Sequence, residues 1–421
     1  MIRAGTGRLP QEMWKTGLAC LVTLATVLAA PAAKAACSTP NNTSLSVHLP
    51  DYPLWRGVAQ HMMQCGNVTV EYGFDAATVE PDPGNPDRNL GSLVGISNAS
   101  LYRLASQKLL RPLDDLAERY KVLLHPRQLI RQDGKVIAIA VAANTKAMTV
   151  HRELLVQEGI GTPKTYDGLI EAAEKLKATD SRLFEMPLTL AYKPGWNLTQ
   201  EFIDLFLGAG GSLFGEAGKP SVSTEKGIAA LEQMKKLAAY LPKEARERDA
   251  ATVLNDLMRF TAPMSVTWVS SVGPLDNPAV SRVAGKMQIL PAPAIGDSGK
   301  PAATLWWEGF AIPVSATEEE AEAAFLTALE GLDEDMLAEH GWEALWLVKD
   351  FQPGHLAKDV LAAIDAGIEP YPDSQALNLL RRALNDQIEA VVFDGRDPAS
   401  ALKRAEADYM KAARELGLPG F

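Results

Sequence analysis

The chain has 421 residues, 47% of them hydrophobic and 22% charged, with a formal net charge of −11. This composition is that of a globular protein and excludes large disordered tails. The acidic balance disfavours nucleic acid and anionic membrane surfaces as partners, and the length exceeds what one hydrophobic core fills, so roughly two domains are expected.

In chain order, residues 1–15 carry Arg3, Arg8 and Lys15 against Glu12, and the apolar run GLACLVTLATVLAAPAA follows over 17–33. The run closes on small residues around Ala33 and Ala35. A basic start, an apolar stretch short for a membrane span and an A-x-A site describe a secretory signal peptide over residues 1–35; an uncleaved anchor is the alternative. Lys34 stands where lipoprotein cleavage before Cys37 wants a large apolar residue, so lipidation is not expected. Cleavage leaves a net charge of about −14 and delivers the chain to the periplasm. There Cys37 and Cys65 remain, one just before the first predicted strand and one at the end of the helix that follows. In a β-α unit those two ends meet, so an oxidising compartment is expected to join them as a disulfide; two buried free thiols are the alternative.

SLSVHL reads as a strand, PLWRGVAQHMM as a helix, NVTVEYGF and GSLVGIS as further strands, and ASLYRLASQ as a helix. Such alternation predicts an α/β fold with a mostly parallel sheet under helical cover. The Pro- and Asp-rich stretch 79–89 between the second and third strands can only be loop. KVIAIAVAANTKAMTV, residues 135–150, is β-prone with a polar interruption at Asn144, Thr145 and Lys146, as expected of a segment leaving one domain for another. Helices follow: one capped by Thr165, one with the stripe Ile228, Leu231, Met234 and Leu241, one opened by a Thr317–Glu320 capping box, one with the stripe Leu377, Leu380, Leu384, Ile388 and Val391, and a last one capped by Asp397 with Pro398 at its first position. SVTWVSSVG and TLWWEGFAIPV read as strands returning within this helical half.

No local pattern marks chemistry. The six histidines never pair at helical spacing, and neither C-x-x-C nor H-E-x-x-H occurs, so neither a metal site nor a cofactor is expected. GAGGSLFGEAGKP has Leu213 and Pro220 where a phosphate-binding loop needs Gly and Ser/Thr, and reads as a turn. No G-x-S-x-G elbow occurs. What stands out is aromatic placement. Trp196, Trp268 and Trp307 lie beside turn residues and polar groups rather than inside apolar stripes, whereas Trp342 and Trp346 have near-helical spacing and are assigned to packing. An aromatic face beside Asn, Ser or Glu suits a sugar ring, which offers C–H patches and directional hydroxyls together.

The order of these segments resembles the family 1 extracellular solute-binding proteins of bacterial carbohydrate ABC importers, the group that includes maltose-binding protein. The resembling stretches are GSLVGISNASLYRLASQKLLRPLDDL, DGKVIAIAVAANTKAMTVHRELLVQEGIGTPKTYDGLIEAAEKLKA, MSVTWVSSVGPLD and KMQILPAPAIGDSGKPAATLWWEGFAIPVSATEEEAEAAFLTAL, which together cover nearly the whole mature chain. The resemblance implies a two-lobed α/β periplasmic-binding-protein fold with three crossovers and a ligand cleft between lobes. By position, one lobe is residues 36–147 plus 302–345 and the other 148–301 plus 346–421. Carried over by position, the cleft residues are Asp51, Tyr52, Asn98, Asn144, Tyr192, Trp196, Trp268, Trp307, Glu308 and Tyr371. The chain departs from the family pattern in its 79–89 loop, which leaves ligand size open. The implied function is capture of a small neutral sugar or oligosaccharide by a monomer and delivery to membrane permease subunits. A binding protein for a polyol or another solute, and a periplasmic polysaccharide-active enzyme, are the alternatives.

Overall fold

The computed structural model describes residues 43–64, 67–74, 76, 90–179, 183–349, 351–352, 354–365, 368–372 and 374–418. The expected signal peptide, Cys37, Cys65 and the 79–89 loop lie outside the described residues.

Among the described residues, eleven strands form two sheets: β1 (Ser44–Leu49), β2 (Asn67–Tyr72), β3 (Leu93–Ser97), β4 (Leu129–Gln132), β5 (Lys135–Asn144), β6 (Lys146–His151), β7 (Met264–Trp268), β8 (Met287–Pro291), β9 (Thr304–Ala311), β10 (Leu345–Trp346) and β11 (Glu369–Pro370). The first sheet runs β10-β5-β9-β3-β1-β2, with β4 beside β5 and β11 beside β9; the second runs β7-β6-β8. The sheets are less parallel than alternating strands and helices predict. β1 pairs in parallel with β2 and β3, but β9 enters antiparallel to β3 and β5. The second sheet is antiparallel throughout. The cause is connectivity: β9 returns from the second sheet instead of following a helix within the first.

The polar interruption in 135–150 is where the chain changes sheets. β5 ends at Asn144 in the first and β6 begins at Lys146 in the second. Thr145 between them is fully buried and donates its hydroxyl to the Thr304 carbonyl at 3.0 Å, tying the outgoing chain to the start of the returning β9. β5 is buried over eight of its ten residues, as its continuous apolar run requires.

The helices follow their caps. Thr165, Asp397 and the Thr317–Glu320 box all accept from helical N–H groups where the sequence places them. The Leu377–Val391 stripe is buried along Gln375–Asp394. One stripe is shorter than expected: the helix Glu225–Ala238 ends before Leu241, which packs half-buried beyond it. Among the described residues no helix is long and apolar enough to cross a membrane.

Candidate functional site

A cavity of about 500 Å³ lies where the ends of the two sheets face each other. From the first-sheet side come Tyr52 and Leu54 at the start of the helix Pro53–Met62, Ala142, Ala143 and Asn144 at the end of β5, and Trp306 and Glu308 on β9. From the other side come Trp196, Leu254, Trp268, Ser270 and Pro274. Trp342 and Glu343, beyond the helix Glu334–His340, complete it.

Three indoles make its aromatic wall. Trp268 lies 5.8 Å from Trp196 and 5.8 Å from Trp306, centroid to centroid, and Trp306 lies 5.9 Å from Trp196. Trp306 meets the other two edge to face, the arrangement aromatic quadrupoles favour. Its other face stacks on Tyr371 at 3.9 Å. Trp268 and Trp306 are each 7% exposed, whereas Trp196 is 47% exposed and presents a free face. Trp196 opens its helix because Gly195 precedes it at φ +89°, a conformation that favours glycine.

A buried polar network stands behind this wall. Lys146 Nζ lies 2.6 Å from Glu201 and 3.2 Å from Asp204, all three nearly inaccessible, and 5.5 Å over the Trp268 ring. Asp204 accepts from the Thr304 hydroxyl at 2.8 Å, and Thr304 accepts from the Trp306 indole N–H at 2.9 Å. Arg381 donates to Gln200 at 2.7 Å, to the Tyr371 hydroxyl at 3.1 Å and to the Trp196 carbonyl at 3.1 Å. Burial pushes the Glu201 and Asp204 carboxyls up and the Lys146 ammonium draws them back down. Each indole of the wall is thus held by a buried charge or its hydrogen-bonded neighbour.

The polar side is sparse. The Asn144 side-chain oxygen accepts from the Ser270 N–H at 3.1 Å, bridging the two halves of the lining. Glu308 faces the Tyr52 hydroxyl and the Trp55 indole as donors, and burial lifts its carboxyl from 4.5 to about 7. The Trp55 N–H also donates to the Tyr52 oxygen at 2.8 Å, and Trp55 itself is core.

Of the residues singled out by sequence, Tyr52, Asn144, Trp196, Trp268 and Glu308 line this cavity. The others lie elsewhere. Tyr371 forms the layer behind Trp306. Asn98 braces the outer side of β9, donating to the Leu305 carbonyl at 3.1 Å and accepting from the Trp307 N–H. Asp51 is exposed and paired with Arg56 at 2.7 Å. Tyr192 is fully buried in the core beside the second sheet. Trp307 packs half-buried against another apolar cluster, which includes Val94, Ile96, Ala138 and Ala311, because consecutive strand residues face opposite ways and Glu308 already takes the cavity side. The wall residue on β9 is therefore Trp306. Trp346 is buried packing, as its spacing suggests, but Trp342 is 53% exposed on the cavity rim. A glycine fixes that rim: a Cβ at Gly273 would stand 1.9 Å from the Trp342 carbonyl oxygen.

Two α/β halves joined by chain segments that cross between sheets, with an aromatic cavity at the crossing, define a two-lobed binding-protein fold. The sequence profile of the bacterial extracellular solute-binding proteins matches residues 93–333, and the chain belongs to that family. Sequence comparison with curated proteins finds no match. Solved structures agree in fold. An ABC transporter solute-binding protein from Agrobacterium radiobacter in complex with ribitol superposes at TM-score 0.74, with 19% identity over 88% of this chain and 99% of that one. Maltose-bound MalE3 of T. maritima superposes at 0.71, with 16% identity over 87% and 99%. A solute-binding protein of Agrobacterium vitis with bound D-mannitol superposes at 0.70, with 18% identity over 89% and 99%.

Proposed function

We propose that this protein is the periplasmic receptor of an ABC importer, a monomer that closes on one small neutral polyhydroxylated solute and presents it to the membrane permease. The observation that carries the reading is the wall of Trp196, Trp268 and Trp306 with a few polar groups, Tyr52, Asn144, Ser270 and Glu308, in a cavity of about 500 Å³. Indole faces suit C–H patches, and the polar groups suit directed hydroxyls. The solutes in the similar structures, ribitol, D-mannitol and maltose, belong to this chemical class. A sugar or a sugar alcohol fits equally.

The lobes of this reading are residues 36–147 with 302–345 and 148–301 with 346–421. It is supported by β5 and β6 belonging to different sheets and by β9 and β10 rejoining the first. Export by the 1–35 signal and a Cys37–Cys65 disulfide are part of the same reading. The event is binding, not turnover: the solute stabilises the closed arrangement because only there do both sides touch it.

One other solute class has an observation in its favour. Three indoles with two carboxyls, Glu308 and Glu343, also suit an organic cation. Calorimetry across monosaccharides, disaccharides, sugar alcohols and a quaternary ammonium decides between them. A neutral solute is expected to bind one to one at about micromolar affinity, near −8 kcal/mol. Silence across the sugars and sugar alcohols, with tight binding of the cation, would overturn the neutral-solute reading.

A further inference from the structure

Away from the indole wall, the helices Pro53–Met62 and Glu334–His340 pack together and bring two histidines face to edge, 6.2 Å between centroids. The approach depends on Gly57, where a Cβ would stand 2.8 Å from the His340 ring. His61 is 3% exposed. Its Nδ1 lies 3.2 Å from Asp333, which also caps the second helix by accepting from the Met336 N–H at 2.7 Å. His340 Nδ1 lies 2.9 Å from Glu343. A carboxylate only accepts, so each Nδ1 donates a ring proton, and the neutral imidazole then carries its lone pair on Nε2.

Those two Nε2 atoms are buried and have no hydrogen-bond partner. Burial of an unpaired acceptor is costly, and two side by side call for a shared electrophile. The Glu339 carboxylate supplies a third donor, 3.6 Å from His61 Nε2 and 3.9 Å from His340 Nε2. The three donor atoms lie within 4.8 Å of one another.

We propose that His61, Glu339 and His340 bind a divalent transition-metal cation of the zinc class. Two imidazole nitrogens and one carboxylate are borderline donors suited to zinc, and a fourth position is left to water. Each ligating imidazole is oriented by a carboxylate on its far nitrogen, the outer shell such sites use. Reaching bond lengths of about 2.0–2.2 Å draws the three donors together, and Glu339, whose side chain is 58% exposed, marks the entry path. The role is structural. Glu343 and Trp342 belong to the wall of the solute cavity, and the Trp342 indole donates to the Glu339 carbonyl at 3.1 Å, so the cation would clamp that rim onto the helix Pro53–Met62. Local spacing in the sequence hides the site because His61 and His340 meet only through the fold.

The test uses untagged full-length protein stripped with a chelator. Zn²⁺ is titrated calorimetrically, and Co²⁺ is followed by its visible absorption. One equivalent of Zn²⁺ is expected to bind, and Co²⁺ to give the intense bands of a low-coordinate site. Glu339→Gln and His340→Gln should each weaken binding at least tenfold. Asp333→Ser, which keeps a capping oxygen but not the imidazole's carboxylate, should weaken it about 10–100-fold. No saturable binding of either ion would overturn the proposal. So would one-equivalent binding unchanged in Glu339→Gln, an exposed position whose substitution leaves folding intact.

Discussion

Trp196 and Trp306 belong to one wall but differ in what they support. Trp196 is 47% exposed and faces the cavity, so Trp196→Ala should cost about 2 kcal/mol or more of solute binding with little change in apo melting temperature. Trp306 is 7% exposed, stacked on Tyr371 and bonded to Thr304, so Trp306→Ala should lose binding and also about 3 kcal/mol of stability. Calorimetry paired with thermal melts separates the two. Glu308 gives a pH signature. Its folded carboxyl titrates at about 7 against 4.5 in the ordinary state, so the folded form holds the proton more tightly. That contribution is fully present below pH 4.5 and is lost as pH rises through about 7, a swing of up to about 3 kcal/mol. The stability gap between wild type and Glu308→Gln, measured from about pH 5 to 8, should shift by this swing in favour of the variant; a gap that is flat with pH would contradict the assignment. Asn144 and Trp268 were legible because they end the strands β5 and β7, and Glu308 because it is the one acid in the apolar run of β9. The expectation fell on Trp307 and missed Trp306, although strand alternation puts Trp306, and not Trp307, on the face that Glu308 takes.

At the scale of elements, the caps and apolar stripes announced the helices, because they are local chemistry. The network behind the wall was not legible. Lys146 comes from β6, Glu201 and Asp204 from the helix Trp196–Gly208, Thr304 from β9 and Arg381 from the helix Gln375–Asp394, and only the fold makes neighbours of them. The antiparallel second sheet was hidden for the same reason. Lys146→Met leaves two carboxyls buried without their cation and should destabilise the protein by about 3–5 kcal/mol. Since burial raises both carboxyls, the defect should ease as the solution is acidified and they take up protons. Adding Glu201→Gln and Asp204→Asn should recover most of the loss. Chemical denaturation of the three forms checks this, and a Lys146→Met protein as stable as wild type would show the ion pairs to be idle.

For the whole molecule, β9 and β10 complete the first sheet from far along the chain. A fragment of residues 36–150 lacks them, exposes the edges of β3 and β5, and should not fold cooperatively; a sharp melting transition from it would show that the domains are sequential. The alternation of short strands and helices made the α/β class readable, and the polar break at 144–146 marked where the chain leaves the first sheet, whereas the pairing order depends on contacts no local pattern records. The central claim is that a solute at the tryptophan wall draws the two halves together. Small-angle X-ray scattering of the mature protein, with and without a saturating solute identified by calorimetry, measures it directly. The radius of gyration should fall on binding as hinge segments close the lobes, and an unchanged radius at full saturation would contradict a closing cleft.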